Sequence, residues 1–338
     1  MPTLPSPKVG SRHNCAVVCC MKNEGMFALE WVAYHRSIGF DKIFVLTNDC
    51  SDGTDKILNR LDALGEVIHI PNPITPGMRP QVEGLRRAMA HPAMQDVAWL
   101  LHIDADEFLN VTAGDGKVSD LLNVVGACDA IAIAWRPMGS GGRKIWTHDS
   151  VLATQTLTQH RILVRLLMHK CMFRPNRFGS AIDHMPKEPC DGSVVLKNTS
   201  GDDLNTRALF KPAASRFRAM TDAQYTWQNA DIHHYAVRSE DVFLLKNIRG
   251  DGMANAHPRY IVGSKFWRRI ERNATNDTSI QRHLPVLQAK MAQYRDDPEL
   301  KALDLAAFQW FTAQRDRHLT EENRAQWIMN RADNSDLE

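Results

Sequence analysis

The run Trp99-Leu100-Leu101-His102-Ile103-Asp104-Ala105-Asp106-Glu107-Phe108 carries an apolar stretch straight into D-x-D-E. If the stretch is a buried strand its side chains alternate, so Asp104 and Asp106 point to one side with Ala105 between them. Acids at the carboxyl end of a parallel strand stand where open α/β sheets bind ligands. Two hard oxygen ligands on one edge suit Mg²⁺ or Mn²⁺, with nucleotide phosphates completing the shell. A lone D-x-D reads equally well as a solvated turn or a helix-cap cluster, because so short a motif recurs by chance.

A second group shifts that balance. Leu46-Thr47-Asn48-Asp49-Cys50-Ser51-Asp52-Gly53-Thr54 also follows an apolar run and opens a helical one, and Cys20-Met21-Lys22-Asn23-Glu24 follows the first apolar run of all. As local structure, Asp52-Gly53 is a turn and Ser51 or Thr54 a cap. That accounts for a helix start but not for polar crowding at three strand ends, which a parallel sheet would bring to one rim.

The elements that must hold these groups follow from periodicity. Short apolar runs at 15–20, 42–46, 66–70, 97–103 and 130–135 alternate with helical patterns at 24–39, 54–64 and 81–90, the signature of successive βα units. In the first helix Phe27, Trp31, Tyr34, His35 and Ile38 form one face, leaving Glu30 and Arg36 wet. In the second, Ile57, Leu58, Leu61 and Leu64 turn inward; the third starts at Pro80. Beyond Trp135 the pattern loosens, with a Gly-rich turn at 139–142, a strand near 161–167 and a loop-rich stretch to about 230. Helices return after Ser239, ending at Gly250, and again near 281–293 and 299–314.

Composition narrows the classes. At 338 residues, 43% hydrophobic and 24% charged, the chain can bury a sizeable core. A net charge of +2 is too balanced for a nucleic-acid binder, so an anionic ligand must be recognised locally. The apolar run Cys15–Met21 is too short for a signal peptide and nothing approaches a membrane span, so a soluble cytoplasmic protein is expected, at most peripheral to a membrane. Seven cysteines without paired CxxC elements argue against a zinc site or disulfide framework.

With NE after the first strand, N-x-x-x-DGT after the second, DADEF after the fourth, Glu30-Trp31-Val32-Ala33-Tyr34-His35 in the first helix and His234-Tyr235-Ala236-Val237-Arg238-Ser239 later, the chain resembles the family 2 type glycosyltransferases of GT-A fold. The resemblance spans roughly 15–135, and 225–252 by motif. It implies an α/β fold with a Rossmann-like, mostly parallel sheet flanked by helices, an irregular acceptor-side half and a helical C-terminus. The expected division is a polar extension at 1–14, a nucleotide-sugar half at 15–135, an acceptor-side half at 136–252 and a helical region at 253–338.

Carried over by position, the resemblance makes Asp104 and Asp106 holders of Mn²⁺ or Mg²⁺, with His234 as a further metal ligand. Asp104, Asn23, Glu24 and Asn48 would bind the donor. Thr47 stands where many relatives carry Asp, so this motif does not name the base. The implied activity is metal-dependent transfer of a hexosyl or related sugar from a nucleotide-diphosphate sugar, with UDP expected, to a glycan or other acceptor hydroxyl in glycan or polysaccharide synthesis.

The departing diphosphate needs positive charge, for which Lys170, Arg174, Arg238, Lys246 and Arg249 are candidates, although such residues are usually solvated surface. An inverting enzyme also needs a base opposite the leaving group. The candidates are Glu107, Asp183, His184, Asp202 and Asp203, with His184, in the loop 179–184, favoured on the acceptor side. Rival readings are a haloacid-dehalogenase type phosphohydrolase, disfavoured by Phe108 after the D-x-D; a nucleotidyltransferase, which would want a Gly-rich first loop; and a catalytically silent nucleotide-sugar-binding module.

Overall fold

The computed structural model describes residues 14–162, 168–212, 214, 224–249 and 259–329. The chain opens with β1 (Cys15–Met21), α1 (Gly25–Ser37), β2 (Lys42–Thr47), α2 (Thr54–Ala63), β3 (Ile68–Pro71), α3 (Pro80–Ala90) and β4 (Trp99–His102). There follow β5 (Glu107–Val111), α4 (Val118–Val125), β6 (Ala130–Gly139), α5 (Val151–Thr154), β7 (Leu157–Thr158), β8 (His169–Phe173), β9 (Phe178–Ile182) and β10 (Met185–Pro189). The last part comprises β11 (Leu196–Asn198), β12 (Ala230–His234), α6 (Glu240–Arg249), α7 (Lys265–Ile270), β13 (Thr275–Asn276), α8 (Leu284–Asp296), α9 (Pro298–His318) and α10 (Glu321–Trp327).

The expected βα alternation is present through β4. Strands β3, β2, β1 and β4 lie side by side and parallel, with Met21 opposite Thr47 and Val18 opposite His102. The three polar clusters therefore emerge on one rim. Beyond β4 the sheet is mixed: β8 runs antiparallel between β4 and β6, while β12 pairs parallel with β6 and antiparallel with β5. Of the strand expected at 161–167, Arg161 and Ile162 are outside any strand and 163–167 lie outside the described residues; the next strand is β8. Gly250, the expected stop of α6, also lies outside the described residues.

Apolar side chains pack on both faces of the sheet. One face meets α1 and α2 around Trp31, Tyr34, Ile57, Leu58, Leu101 and Phe108, and α8 and α9 pack on the far side of those helices. The other meets α3 through Leu85 and Ala88 and the β9–β10 hairpin through Phe178 and Met185. Each fully buried side chain of this size contributes roughly 1.5–3 kcal/mol.

Because α8 and α9 lie over α1, that helix is buried on its outer side as well. Glu30, expected to be wet, is 6% exposed. Its carboxylate accepts from Ser150 Oγ (2.5 Å), Val151 N (2.9 Å) and Leu152 N (3.2 Å), satisfying amides at the start of α5. Leu64, expected inward, lies just past the end of α2 and is 44% exposed.

Two glycines permit the close approaches this layering needs. A Cβ on Gly25 would stand 2.8 Å from Ala307 Cβ of α9, and one on Gly84 would stand 2.4 Å from Cys20 Sγ of β1. The second approach brings the N-terminus of α3, with Arg79 and Gln81, over the ligand rim. Among the described residues no helix is long and apolar enough to cross a membrane.

Candidate functional site

The strand ends open into a cavity of about 710 Å³. Cys20, Met21, Lys22 and Glu24 line it from the end of β1, Asn48 from the end of β2, and Asp104, Ala105 and Asp106 from the end of β4. The sequence expectation of one shared rim is met. Its opposite walls come from later in the chain: Asp183 and His184, His234, and Lys246 with Arg249.

The D-x-D does not continue the strand, as alternation had suggested. It forms a tight turn between β4 and β5, closed by Glu107 N donating to Asp104 O (3.0 Å), while Asp104 N donates to Glu107 Oε2 (2.8 Å). Tyr235 N donates to Asp106 O (2.8 Å) and Arg238 Nη2 to Ala105 O (2.7 Å), so the turn is clamped by the segment after β12. The two carboxylates consequently face different partners. Asp104 accepts from Gln81 Nε2 at 2.6 Å and Lys170 Nζ at 3.3 Å. Asp106 accepts from Lys246 Nζ at 2.7 Å through Oδ2, and its Oδ1 lies 3.5 Å from His234 Nε2. Burial alone would raise the Asp106 carboxyl, but Lys246 and then His234 hold it well below the usual carboxylate range.

Glu24 lies in the cavity wall and is bound by Arg238 Nη1 (2.9 Å) and by Arg249. Burial would raise its carboxyl, but the Arg249 and Arg238 guanidiniums lower it. Asn48 also lines the wall and donates to Asp49 Oδ2 (3.0 Å). Asn23 is set apart from this cavity: at φ 54° its side chain accepts from Ser51 N (2.8 Å), joining the turns after β1 and β2. Thr47 is held by His69 Nε2 at 2.7 Å.

On the acceptor side, Asp183 and His184 form the two-residue turn of the β9–β10 hairpin, not an open loop. His184 Nε2 stands 3.2 Å from Asp183 Oδ2, and its Nδ1 stands 3.0 Å from His169 O. Burial lowers the His184 imidazole, against the pull of Asp183. Burial would raise Asp183, but Lys170 and His184 lower it.

Glu107, expected as a possible base, is fully buried beneath the turn and is absent from the cavity wall. Burial pushes its carboxyl well above the usual range, against the pull of Lys170, and its Oε1 is without a hydrogen-bond partner. It pins the turn instead of reaching a ligand. Asp202 and Asp203 are exposed near β11, where Asp202 accepts from Asn198 and Asp203 pairs with Lys197 at 3.7 Å, away from the cavity.

Residues 16–202, more than half of the chain, match the model of glycosyltransferase family 92. The chain belongs to glycosyltransferase family 92. A family 92 protein from rice (Oryza sativa subsp. japonica) is 30% identical over 173 residues, covering 50% of this chain and 28% of the relative. One from castor bean (Ricinus communis) is 29% identical over 118 residues, covering 33% and 20%. The chain thus spans under a third of the length of these curated relatives. Among solved structures, the 1–349 form of TarS from S. aureus aligns with a TM-score of 0.31 at 14% identity, covering 48% of this chain and 47% of that one. Glucosyl-3-phosphoglycerate synthase from Mycobacterium tuberculosis, solved with Mn²⁺, uridine diphosphate and glucosyl-3-phosphoglycerate, aligns with a TM-score of 0.24 at 18% identity, covering 37% and 44%. Both likenesses are partial. The motif resemblance thus holds for glycosyltransferase, while the family whose model matches is 92 and not 2.

In this family 92 chain no three His, Cys, Asp or Glu side chains group closely enough among the described residues to hold a metal unaided. The donor set does fit an ion that takes most of its shell from phosphate and water, as Mg²⁺ and Mn²⁺ do with one or two protein ligands. Asp106 Oδ1 faces His234 Nε2, and the buried His234 Nδ1 has no hydrogen-bond partner among the described residues. Asp104 fits less well, since Gln81 and Lys170 already take its oxygens.

The cationic residues are not the solvated surface their type suggests. Arg238 and Lys170 are 1% and 0% exposed. Lys246 lies against the cavity, whereas Lys170 lies under it, and Arg174 packs over Trp99 and donates to Cys128 O away from both. Trp135 was read only as the end of a strand. Its ring lines the cavity 4.2 Å from His234 and 5.8 Å from His184, and no sequence pattern marks that position.

Proposed function

We propose that this family 92 protein transfers a sugar from a nucleotide-diphosphate sugar, UDP-linked, to an acceptor hydroxyl with the help of Mn²⁺ or Mg²⁺. The observation that carries the reading is the meeting in one cavity of the β1, β2 and β4 ends with Asp106, His234 and Lys246. Glu24 and Asn48 are placed to hold the nucleoside side of the donor. Asp106 and His234 would hold the ion, which when bound acts as a Lewis acid on the diphosphate. Lys246, beside Asp106, and Arg249, beside Glu24, line the same cavity, where cations would meet the negative charge that develops as the leaving group departs.

Across the cavity, Asp183 and His184 are placed to accept the acceptor hydroxyl proton, His184 being the nearer base candidate because burial keeps its imidazole neutral. Trp135 joins the two sides with an aromatic face suited to a sugar ring. The location proposed for this reaction is the cytoplasm.

The test is a thermal-shift series with UDP, GDP, CDP and ADP, each with and without Mn²⁺. UDP with Mn²⁺ should raise Tm most, by the linkage of ligand binding to stability. No nucleotide-dependent rise with either ion would remove the reading.

A further inference from the structure

Lys170 is the least exposed ionised group at the site, and glycosyl transfer as drawn above gives it no part. It projects from β8 beneath the cavity floor. Its Nζ lies 2.6 Å from Asp183 Oδ1, 3.3 Å from Asp104 Oδ2 and 3.4 Å from Glu107 Oε2. Three carboxylates from two separate turns therefore share one ammonium. Two belong to the turn between β4 and β5, and the third to the hairpin turn that carries His184.

We propose that Lys170 is a positioning residue: by taking Asp183 Oδ1 it turns Asp183 Oδ2 onto His184 Nε2, and by holding Asp104 it fixes that pair at a set distance from the donor turn. The inference rests on the glycosyl-transfer reading for its purpose, but not for its geometry. Without Lys170 the hairpin turn keeps His102 of β4, whose Nδ1 lies 3.3 Å from Asp183 O and 3.6 Å from Asp183 Oδ1, but burial lowers that imidazole, so this tie is weaker than the ammonium's. The groups around His184 are Asp183 on its own turn, Lys170 and both the carbonyl and the imidazole of His169 from β8 (ring centroids 6.4 Å apart), Trp135 from β6 and Asp104 from the β4–β5 turn. Lys170 repels a proton on His184 directly and also occupies the carboxylate that would attract one. With Asp183 still beside His184, removal of Lys170 therefore moves the imidazole upward; a turn that lets Asp183 swing away would offset that rise.

The test compares Lys170→Met, Lys170→Arg and wild type in the whole chain, in two measurements. The first needs no substrate: the imidazole titration of His184 is followed by NMR. In Lys170→Met it should rise by about one unit or more, while Lys170→Arg keeps the wild-type value. An unchanged titration in folded Lys170→Met would overturn the proposal. If Lys170→Met does not fold, Asp183→Asn cuts the same contact from the exposed end and should lower the His184 titration; no change there would equally overturn it.

The second measurement is UDP release from UDP-glucose with Mn²⁺. Lys170→Met should lose about tenfold or more in kcat with KM for UDP-glucose within about twofold, and Lys170→Arg should recover most of it. Equal losses in kcat and KM, without rescue by Arg, would mark Lys170 as a packing residue only. A wild type that neither binds UDP nor releases it, alongside a shifted His184 titration in Lys170→Met, would remove the transferase reading and leave the positioning geometry in place.

Discussion

Two buried lysines flank one turn, and burial has opposite net results for them. Lys246, from α6, meets a single site carboxylate, Asp106, and has the Arg249 and Arg238 guanidiniums as neighbours. Burial lowers its ammonium and the two arginines lower it further, so that Asp106 and Glu24 do not compensate. Lys170 is buried more completely, yet Asp104, Asp183 and Glu107 together raise its ammonium well above the ordinary range. Burial alone therefore does not decide the charge; the number of opposite partners does. Lys170 is a fixed charge that organises the floor. Lys246 is held against Asp106 with less to keep it there, the state expected of a group that must exchange a carboxylate for an incoming diphosphate.

The comparison can be broken most directly at Asp106. Asp106→Asn removes the anion that both His234 and Lys246 address, and Mn²⁺-dependent UDP affinity should fall on the order of 100-fold while the melting temperature without ligand changes little. Calorimetric titration checks this; unchanged affinity in a folded variant would take Asp106 out of the site.

Lys170→Met should act on stability instead. It leaves buried carboxylates without their cation, which costs about 3–5 kcal/mol, measurable by urea unfolding. Lys246→Met, with one carboxylate deprived of its partner and a cavity to admit water, should cost less than half of that in the same assay. Equal losses would erase the distinction between the two lysines.

His234→Ala sharpens the donor side. It should weaken Mn²⁺-dependent UDP binding by about tenfold, recoverable in part by more Mn²⁺, because the carboxylate ligand remains. A variant that melts lower without metal and gains nothing from Mn²⁺ would make His234 a packing residue against Trp135.

The smallest effect concerns a buried base with no opposite charge at all. His35, sealed in α1 against Trp31 and Phe108, is lowered by burial to about 3. Between the ordinary value of about 6.5 and about 3 the unfolded chain binds a proton that the folded chain does not, so stability falls as pH falls through that window. His35→Phe should flatten this limb in melts taken from pH 7 to pH 4.

How much of this was legible in the sequence depended on whether the cause was local. Strands β1, β2 and β4 and helices α1, α2, α8 and α9 were readable because period and turn chemistry lie within each segment. The meeting of three strand ends was readable too, since it follows from parallel order. Strand β5 does not show in the pattern because Glu107 and Asn110 interrupt its apolar run while being fully buried, Glu107 Oε2 being met by the Asp104 amide and Asn110 Nδ2 by Asp231 and Ser279. Lys170 was missed as a buried residue because its partners lie 13 and 66 residues away. No window around it holds the reason for its burial, and the same holds for Glu30, whose partners are some 120 residues on.

The clamp on Glu24 also sets an order of assembly. Its two guanidinium partners lie 214 and 225 residues downstream, so during synthesis the β1 and β4 turns exist long before the segment that closes them. Lys170, which meets Asp104, emerges 66 residues after it, but the cations that meet Glu24 and Asp106 come only with the segment from Arg238 to Arg249. The floor of the cavity can thus be charge-paired before its outer wall exists, and the wall that faces the donor is the last part of the site to be made.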